Sequence, residues 1–291
     1  NGSGKTSVLE SIHLLGMARS FRGSSIKSLI SHGADSCTVF GVARKSAEAG
    51  RPTSDLPLGV QRNRVGEAQI RVAGKSVRTV AELAEQLPLQ VITADSFGLL
   101  TGPPASRRRF LDWGVFHVEH QFHSVWKSAQ RCLKQRNSLL RHGRLEDKEL
   151  SAWTQELVGF GEQLDVFRKS YFDRLVPVFE ETLSKLLDID GLSLKYYRGW
   201  DADRSLCDVL AANFSRDKEV THTQAGPHRA DLKFRYRSAN AADILSRGQQ
   251  KLVVCALRVA QGYLLAQETG RSCVFLIDDL PSELDKGHRK A

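Results

Sequence analysis

No stretch of the 291-residue sequence approaches the ~18 consecutive apolar residues of a membrane-spanning helix, and no basic, apolar, small-residue segment stands at its start. Neither a membrane span nor a secretory address is expected. Cysteine is scarce: residues 37, 132, 207, 255 and 273 form no C-x-x-C pair and leave one over, which argues against a disulfide framework. A reducing, cytoplasmic setting is the expectation. No internal repeat or low-complexity tract is present, and no heptad run persists for three or four turns, so a long coiled coil is not expected.

Acidic residues are also in deficit. Against 42 Lys and Arg there are 33 Asp and Glu, a net charge of +9, which makes a polyanion a plausible partner. The excess is uneven, since residues 101–150 hold ten Lys/Arg and five Asp/Glu. That segment is either a phosphate-binding surface or an ordinary solvated helical face. Its candidates for DNA contact are Arg107, Arg108, Arg131, Lys134 and Arg136, while Arg109 could instead pair with Asp112 at i, i+3. Hydrophobic residues make up 41% of the chain, enough for a real core in one large domain or two.

The sequence opens NGSGKTSVLESIHLLG. Gly4, Lys5 and Thr6 supply the last three fixed positions of a P-loop, G-x-x-x-x-G-K-[ST], whose first Gly would fall two residues before Asn1. The chain is expected to begin inside the motif, without the strand that precedes it, and so to bind ATP poorly as written. Small residues at Gly2, Ser3 and Gly4, with Asn1, let successive N–H groups curl around a polyphosphate, and the following helix points its positive end there. Lys5 would reach the β- and γ-phosphates, and Thr6 would offer its hydroxyl to Mg²⁺. Val8, Leu9, Ile12 and Leu15 recur at helical spacing, the context a P-loop needs.

Beyond it, segments 37–44, 58–64 and 68–74 read as antiparallel strands, 80–87 as a short helix stopped by Pro88, and 89–93 as another strand. From Ala105 to about Asp188 the periodicity is helical, with Gly143, Gly159, Gly161 and Pro177 as expected breaks. Segments 193–199 and 230–236 return to strand character around a helix at 208–217. A helix over 246–267 and a strand at 272–279 follow. The fold class is α/β with an inserted, mainly helical lobe.

The apolar run Val274–Phe275–Leu276–Ile277 ends in Asp278 and Asp279, the pattern of a buried parallel strand carrying metal-directed carboxylates at its C-terminal end. Asp278 would assist Mg²⁺, and Asp279 would orient the attacking water. Between loop and strand lies LSRGQQK, where Ser246 and Gln249 fit a capping box opening a helix. The three imidazoles of His117, His120 and His123 recur three apart, but no nearby Cys joins them into a tetrahedral metal set.

P-loop, LSRGQ and LIDDLPSELD, in that order, resemble the head of an ABC-type ATPase. NGSGKTSVLESIHLLGMARSFR, GPPASRRRFLDWGVFH, LKQRNSLLR, AGPHRADL and SRGQQKLVVCALRVAQG are similar to the RecF family in its SMC-like branch. The resemblance implies a P-loop ABC-type ATPase head in two parts, residues 1–100 and 226–291, around a helical lobe at 101–225, with both termini truncated. It further implies a weak DNA-dependent ATPase of recombinational repair and replication restart, using ATP and Mg²⁺ at single-stranded/double-stranded junctions. RecR, RecO and RecA are the implied partners. Two heads would close on ATP in a homodimer, with Ser246, Gly248 and Gln249 contacting the partner's nucleotide and Ser282 and Asp285 lining the seam. Lys5 and Asp279 would carry hydrolysis, which Asp279, in place of the usual Glu, would slow.

Gln90 is a candidate Q-loop residue, and His228 with Arg229 in GPHRAD could serve near DNA or as a buried structural pair. The competing classes are a long-armed SMC-type structural head, which needs heptads absent here, and a transporter's nucleotide-binding subunit. In the latter the signature follows the P-loop by far fewer residues.

Overall fold

The computed structural model describes residues 4–23, 25–45, 54–142 and 147–278. These form two compact units, one from the residues up to Ser96 together with those from Leu265 on, the other spanning Phe97–Leu264.

In the first unit, α1 (Lys5–Met17) starts directly at Gly4 and ends at Ala18, whose N–H returns to the Leu14 carbonyl at 2.8 Å. Strands β1 (Ser36–Lys45), β2 (Ser54–Asn63), β3 (Ala68–Val72) and β4 (Lys75–Val77) form an antiparallel sheet in chain order. Alternation sends Leu58, Val60 and Ile70 to one face, where they bury with Leu14, Leu15 and Leu83. Helix α2 (Val80–Gln86) opens on a capping box between Thr79 and Glu82.

Strand β5 (Leu89–Ile92) follows, and it pairs in parallel with the last strand of the described chain, β9 (Val274–Ile277). A side chain at Gly16 would collide with Leu89, so this glycine lets α1 lie directly on β5. Of the β9 residues only Leu276 is buried, while Val274 and Ile277 are exposed. The expected strand is present and parallel, but it is not buried on both faces, because the described residues give this sheet two strands.

The second unit begins with the short α3 (Gly98–Thr101) and the long helices α4 (Pro104–Val118), α5 (Phe122–His142) and α6 (Asp147–Leu186). An antiparallel sheet of β6 (Leu192–Tyr197), β7 (Asp231–Tyr236) and β8 (Ala239–Asn240) is interrupted by α7 (Leu206–Ala212) and α8 (Phe214–Glu219), where one helix was expected over 208–217. Then come α9 (Ala241–Ile244) and α10 (Arg247–Thr269). The large core joins α4, α6, β7 and α10 through Phe110, Leu111, Tyr171, Leu175, Leu232 and Leu257. By contacts, residues 226–264 belong to this unit.

Helix α6 runs unbroken through Gly159, Gly161 and Pro177, three of the four expected breaks; Gly143 lies outside the described residues. Gly161 packs instead, since a side chain there would meet Leu206 and Pro227. The packed stripe repeats every seven residues in two rows, buried Leu150, Leu157, Leu164 and Tyr171 beside half-buried Thr154 and buried Gly161, Arg168, Leu175 and Thr182. This is one packed face of a single helix, not an apolar heptad run. Thr, Gly and Arg occupy most of the second row, which hides it from an apolar pattern.

Those polar members each find a partner. Arg168 is 3% exposed and grips Asp112 of α4 with Nε and Nη2 at 2.8 and 3.0 Å, its Nη1 reaching the Pro227 carbonyl at 2.7 Å. Asp112 is thus taken, and the expected Arg109–Asp112 pair does not form; Arg109 turns to the Ala105 carbonyl and the Ser106 hydroxyl. Thr154 accepts from Arg136 Nε at 3.1 Å.

Arg136 itself is 1% exposed, bonded to Asp217 at 2.8 Å and to the Thr223 hydroxyl at 2.6 Å. Removing one partner of so buried a pair strands the other charge without water. Arg136→Ala should cost about 3–5 kcal/mol of unfolding free energy, read from the shift in denaturant midpoint. A shift within the range of a surface substitution would refute this.

Candidate nucleotide site and basic lobe

Gly4 sits in the left-handed region at φ 79°, and among the described residues no side chain caps α1. The first N–H groups of a helix have no partner within the helix, and the helix dipole favours an anion there. Lys5 projects into solvent beside them. Thr6, one position on, donates its hydroxyl to Asp278 Oδ1 at 3.3 Å. The parallel register makes this meeting possible: Leu89 faces Val274 and Ile92 faces Ile277, and the Asp278 N–H extends the ladder to the Ile92 carbonyl at 3.0 Å. A hydroxyl and a carboxylate, both hard oxygen donors, therefore converge at the end of β9.

Along α1 a cavity of about 730 Å³, within the range of small-molecule sites, is lined by Thr6, Ser7, Ser11, Arg22, Ser25 and Ser28 among others. Its far wall was not foreseen from sequence. Glu10, buried in α1, accepts from the Ser20 hydroxyl at 2.8 Å and from the N–H groups of Phe21 and Arg22 at 3.4 and 3.3 Å. His13, three residues on, meets the Arg19 carbonyl at 2.7 Å, and burial lowers its pKa. The two side chains fasten the 19–22 turn and bring Arg22 to the cavity. The available signal was a Glu and a His at i, i+3 on an otherwise apolar helix. The arrangement fits a magnesium nucleotide: the first N–H groups of α1 and Lys5 for phosphates, Thr6 and Asp278 for the metal, and room beside them.

Asn1, Gly2, Ser3, Asp279, Ser282 and Asp285 lie outside the described residues. Gln90 sits within β5 opposite Phe275 and is buried, so it does not project from the strand end as a Q-loop residue would.

In the second unit the Ser246–Gln249 capping box is present. The Gln249 N–H reaches the Ser246 hydroxyl at 3.2 Å, and the Ser246 N–H reaches Gln249 Oε1 at 2.9 Å. Gln250 holds the preceding turn through the carbonyls of Ala242 and Leu245. Ser246, Arg247 and Gly248 stand exposed in front of it, and space around Gly248 is open.

The DNA candidates separate into two kinds. Arg131 and Lys134 are exposed on α5, Arg131 lying 5.4 Å over the Trp153 ring. Arg107 is held by Asp231 at 2.7 Å and by the Gly102 carbonyl, Arg108 donates to the Ala230 carbonyl, and Arg136 is buried as above. Arg107 and Arg136 are thus tied to carboxylates, Arg136 with no face left for a phosphate, while Arg108 stays partly exposed. His228 in GPHRAD bonds the Thr223 carbonyl at 3.0 Å, and burial pushes its pKa down to about 4, the behaviour of a neutral structural residue.

A family model for the RecF/RecN/SMC N-terminal domain matches residues 1–291. The DNA replication and repair protein RecF of Stutzerimonas stutzeri is 56% identical over 291 residues, covering 100% of this chain and 77% of the relative. The same protein of Pseudomonas syringae pathovar tomato is 57% identical, covering 100% and 78%. A solved structure of the recombination mediator protein RecF with ATP, from the RecFOR pathway, matches with a TM-score of 0.87 at 24% identity, covering 100% of this chain and 79% of that one. At that identity the likeness speaks for the fold, a P-loop ATPase head. By its full-length match and its high identity to curated relatives, the chain belongs to the RecF family, within the RecF/RecN/SMC N-terminal domain group.

Proposed function

We propose that this protein is an ATP-dependent DNA-binding protein of recombinational repair and replication restart, which recognises gapped DNA and helps load the RecA recombinase. The observation that carries the nucleotide half is the 3.3 Å contact of Thr6 with Asp278, which joins the helix after the P-loop to the end of β9. The proposal's nucleotide motifs fall in residues 1–100 and 226–291, and its DNA surface in 101–225. ATP with Mg²⁺ is the cofactor, RecR and RecO the expected partners, and the cytoplasm the expected location.

In this reading Asn1 to Gly4 and the first turn of α1 cradle the phosphates, Lys5 spans the β- and γ-phosphates, and Thr6 and Asp278 hold the metal. Bound magnesium supplies charge neutralisation on the transferring phosphoryl group. Asp279 orients the attacking water, with a shorter arm than Glu, consistent with slow hydrolysis. Ser246, Gly248 and Gln249 address the nucleotide of a second copy, and Ser282 and Asp285 line the seam between copies. The exposed N-terminus of α10 supports this, since a capped helix end presenting a Ser hydroxyl and an open glycine is an anion-binding surface.

A composite site makes a specific forecast. In full-length protein, Lys5→Ala should lose ATP binding, whereas Ser246→Arg should bind ATP and fail to hydrolyse it. Mixing the two should rebuild one working site per mixed dimer and restore partial turnover that rises with concentration, as a phosphate-release assay would record. Mixed dimers without activity would refute the assignment across subunits.

For DNA, the double reversal Arg131→Glu/Lys134→Glu should weaken binding to all sequences alike and flatten the salt dependence on duplex by about 2 in log–log slope. ATP binding should be unchanged. An unaltered slope in anisotropy titrations would return the lobe to a solvated face.

A further inference from the structure

Helix α5 is 21 residues long and contains no Asp or Glu. Its charges are arranged. Arg136 points inward and is neutralised by Asp217, while Lys127, Arg131, Lys134 and Arg141 are exposed. At 100° per residue these four, with Gln130, share one face, and the row from Lys127 to Arg141 is about 21 Å long. Among the described residues none of the four is in an ion pair, whereas Arg107, Arg136, Arg168 and Arg198 of the same unit each close on a carboxylate. Glu156 of α6, a carboxylate next to the row, accepts from the buried Cys132 thiol at 3.5 Å. Four cations in line that have no ion-pair partner among the described residues repel one another, an arrangement that an external polyanion relieves.

At the N-terminal end of the same face the chemistry changes. His123 lies parallel to Trp126, their rings 12° apart in plane with centroids at 6.5 Å, and Phe116 meets His123 edge-on at 5.8 Å. Both His123 and Trp126 are partly exposed; His123 lies on the cationic face, and Trp126 stands at its edge with its inner side packed against the core. Flat rings at the end of a cationic row make the combination that binds single-stranded nucleic acid: bases stack on the rings and the backbone follows the charges. Duplex DNA offers the same phosphates but keeps its bases stacked on one another, so it has no use for the rings.

Resting on the proposal that the central lobe binds DNA, we infer that the outer face of α5 is a track for one polynucleotide strand. Phosphates lie along Lys127, Arg131, Lys134 and Arg141, and an unstacked base sits on the His123–Trp126 pair. Sequence preference is weak, because every base has a face to stack and phosphates carry no base information.

The test uses the full-length protein with oligo(dT) and with a blunt duplex of equal length, followed by fluorescence anisotropy over a salt series. Lys127→Gln/Arg141→Gln, at exposed positions, should flatten the log–log salt slope for the single strand by about 1.4, two contacts at the single-strand value. Trp126→Leu should weaken oligo(dT) binding roughly fivefold or more and leave duplex affinity unchanged, while Trp126→Phe, still able to stack, should retain it. An unchanged single-strand slope in the Lys127/Arg141 variant overturns the track. So does a Trp126→Leu loss that is equal on both DNAs. If Arg131→Glu/Lys134→Glu weakens DNA binding while these variants do not, the DNA-binding lobe stands and the track falls. If no variant alters any DNA affinity, both fall together.

Discussion

A threonine hydroxyl and an aspartate carboxylate, 272 residues apart in sequence, meet at 3.3 Å, and the first unit is organised so that they can. Gly16 allows α1 to press against β5, β5 fixes the register of β9, and the ladder carries one residue past the strand to Asp278. Together they hold two oxygen donors at the N-terminal end of α1, where the peptide dipole already favours negative charge.

The second unit solves a different problem. Long helices in a basic lobe must bury polar side chains without leaving charges unpaired, and here each buried arginine is bonded along several directions at once. Arg136 links α5 to α6 and to the turn after α8, while Arg168 links α6 to α4 and to the Pro227 carbonyl. Such networks contribute less net stability than well-packed apolar groups would, but breaking one is costly, so they fix which helix faces pack together. Four further cations, Lys127, Arg131, Lys134 and Arg141, share one exposed face of α5.

How much of this was legible in the sequence follows from which forces are local. The P-loop helix, the strands at 37–44, 58–64 and 68–74, the parallel strand before Asp278 and the Ser246 capping box all rest on short-range periodicity or on pairs three residues apart, and all are found. The continuous α6 was not, because Gly161 and Pro177 were weighed by intrinsic propensity while packing against Leu206 and the flanking Leu175 and Phe179 decides the matter. Arg107 and Arg136 were misjudged for a related reason. A cation in a basic stretch reads as surface until its partner is known, and Asp231 and Asp217 lie 124 and 81 residues away. The Glu10 and His13 cradle was readable in principle, as two polar residues on an apolar helix face.

The central claim is that Thr6 and Asp278 form the metal end of a nucleotide site. The most direct measurement is ATP affinity of the full-length protein with and without Mg²⁺, by calorimetry, for Thr6→Ser and Thr6→Val. Thr6→Ser keeps the hydroxyl and should keep the gain in affinity that Mg²⁺ confers. Thr6→Val, close in shape but without the oxygen, should lose most of that gain while its melting temperature stays near that of the parent. Full magnesium-enhanced binding by Thr6→Val would contradict the account.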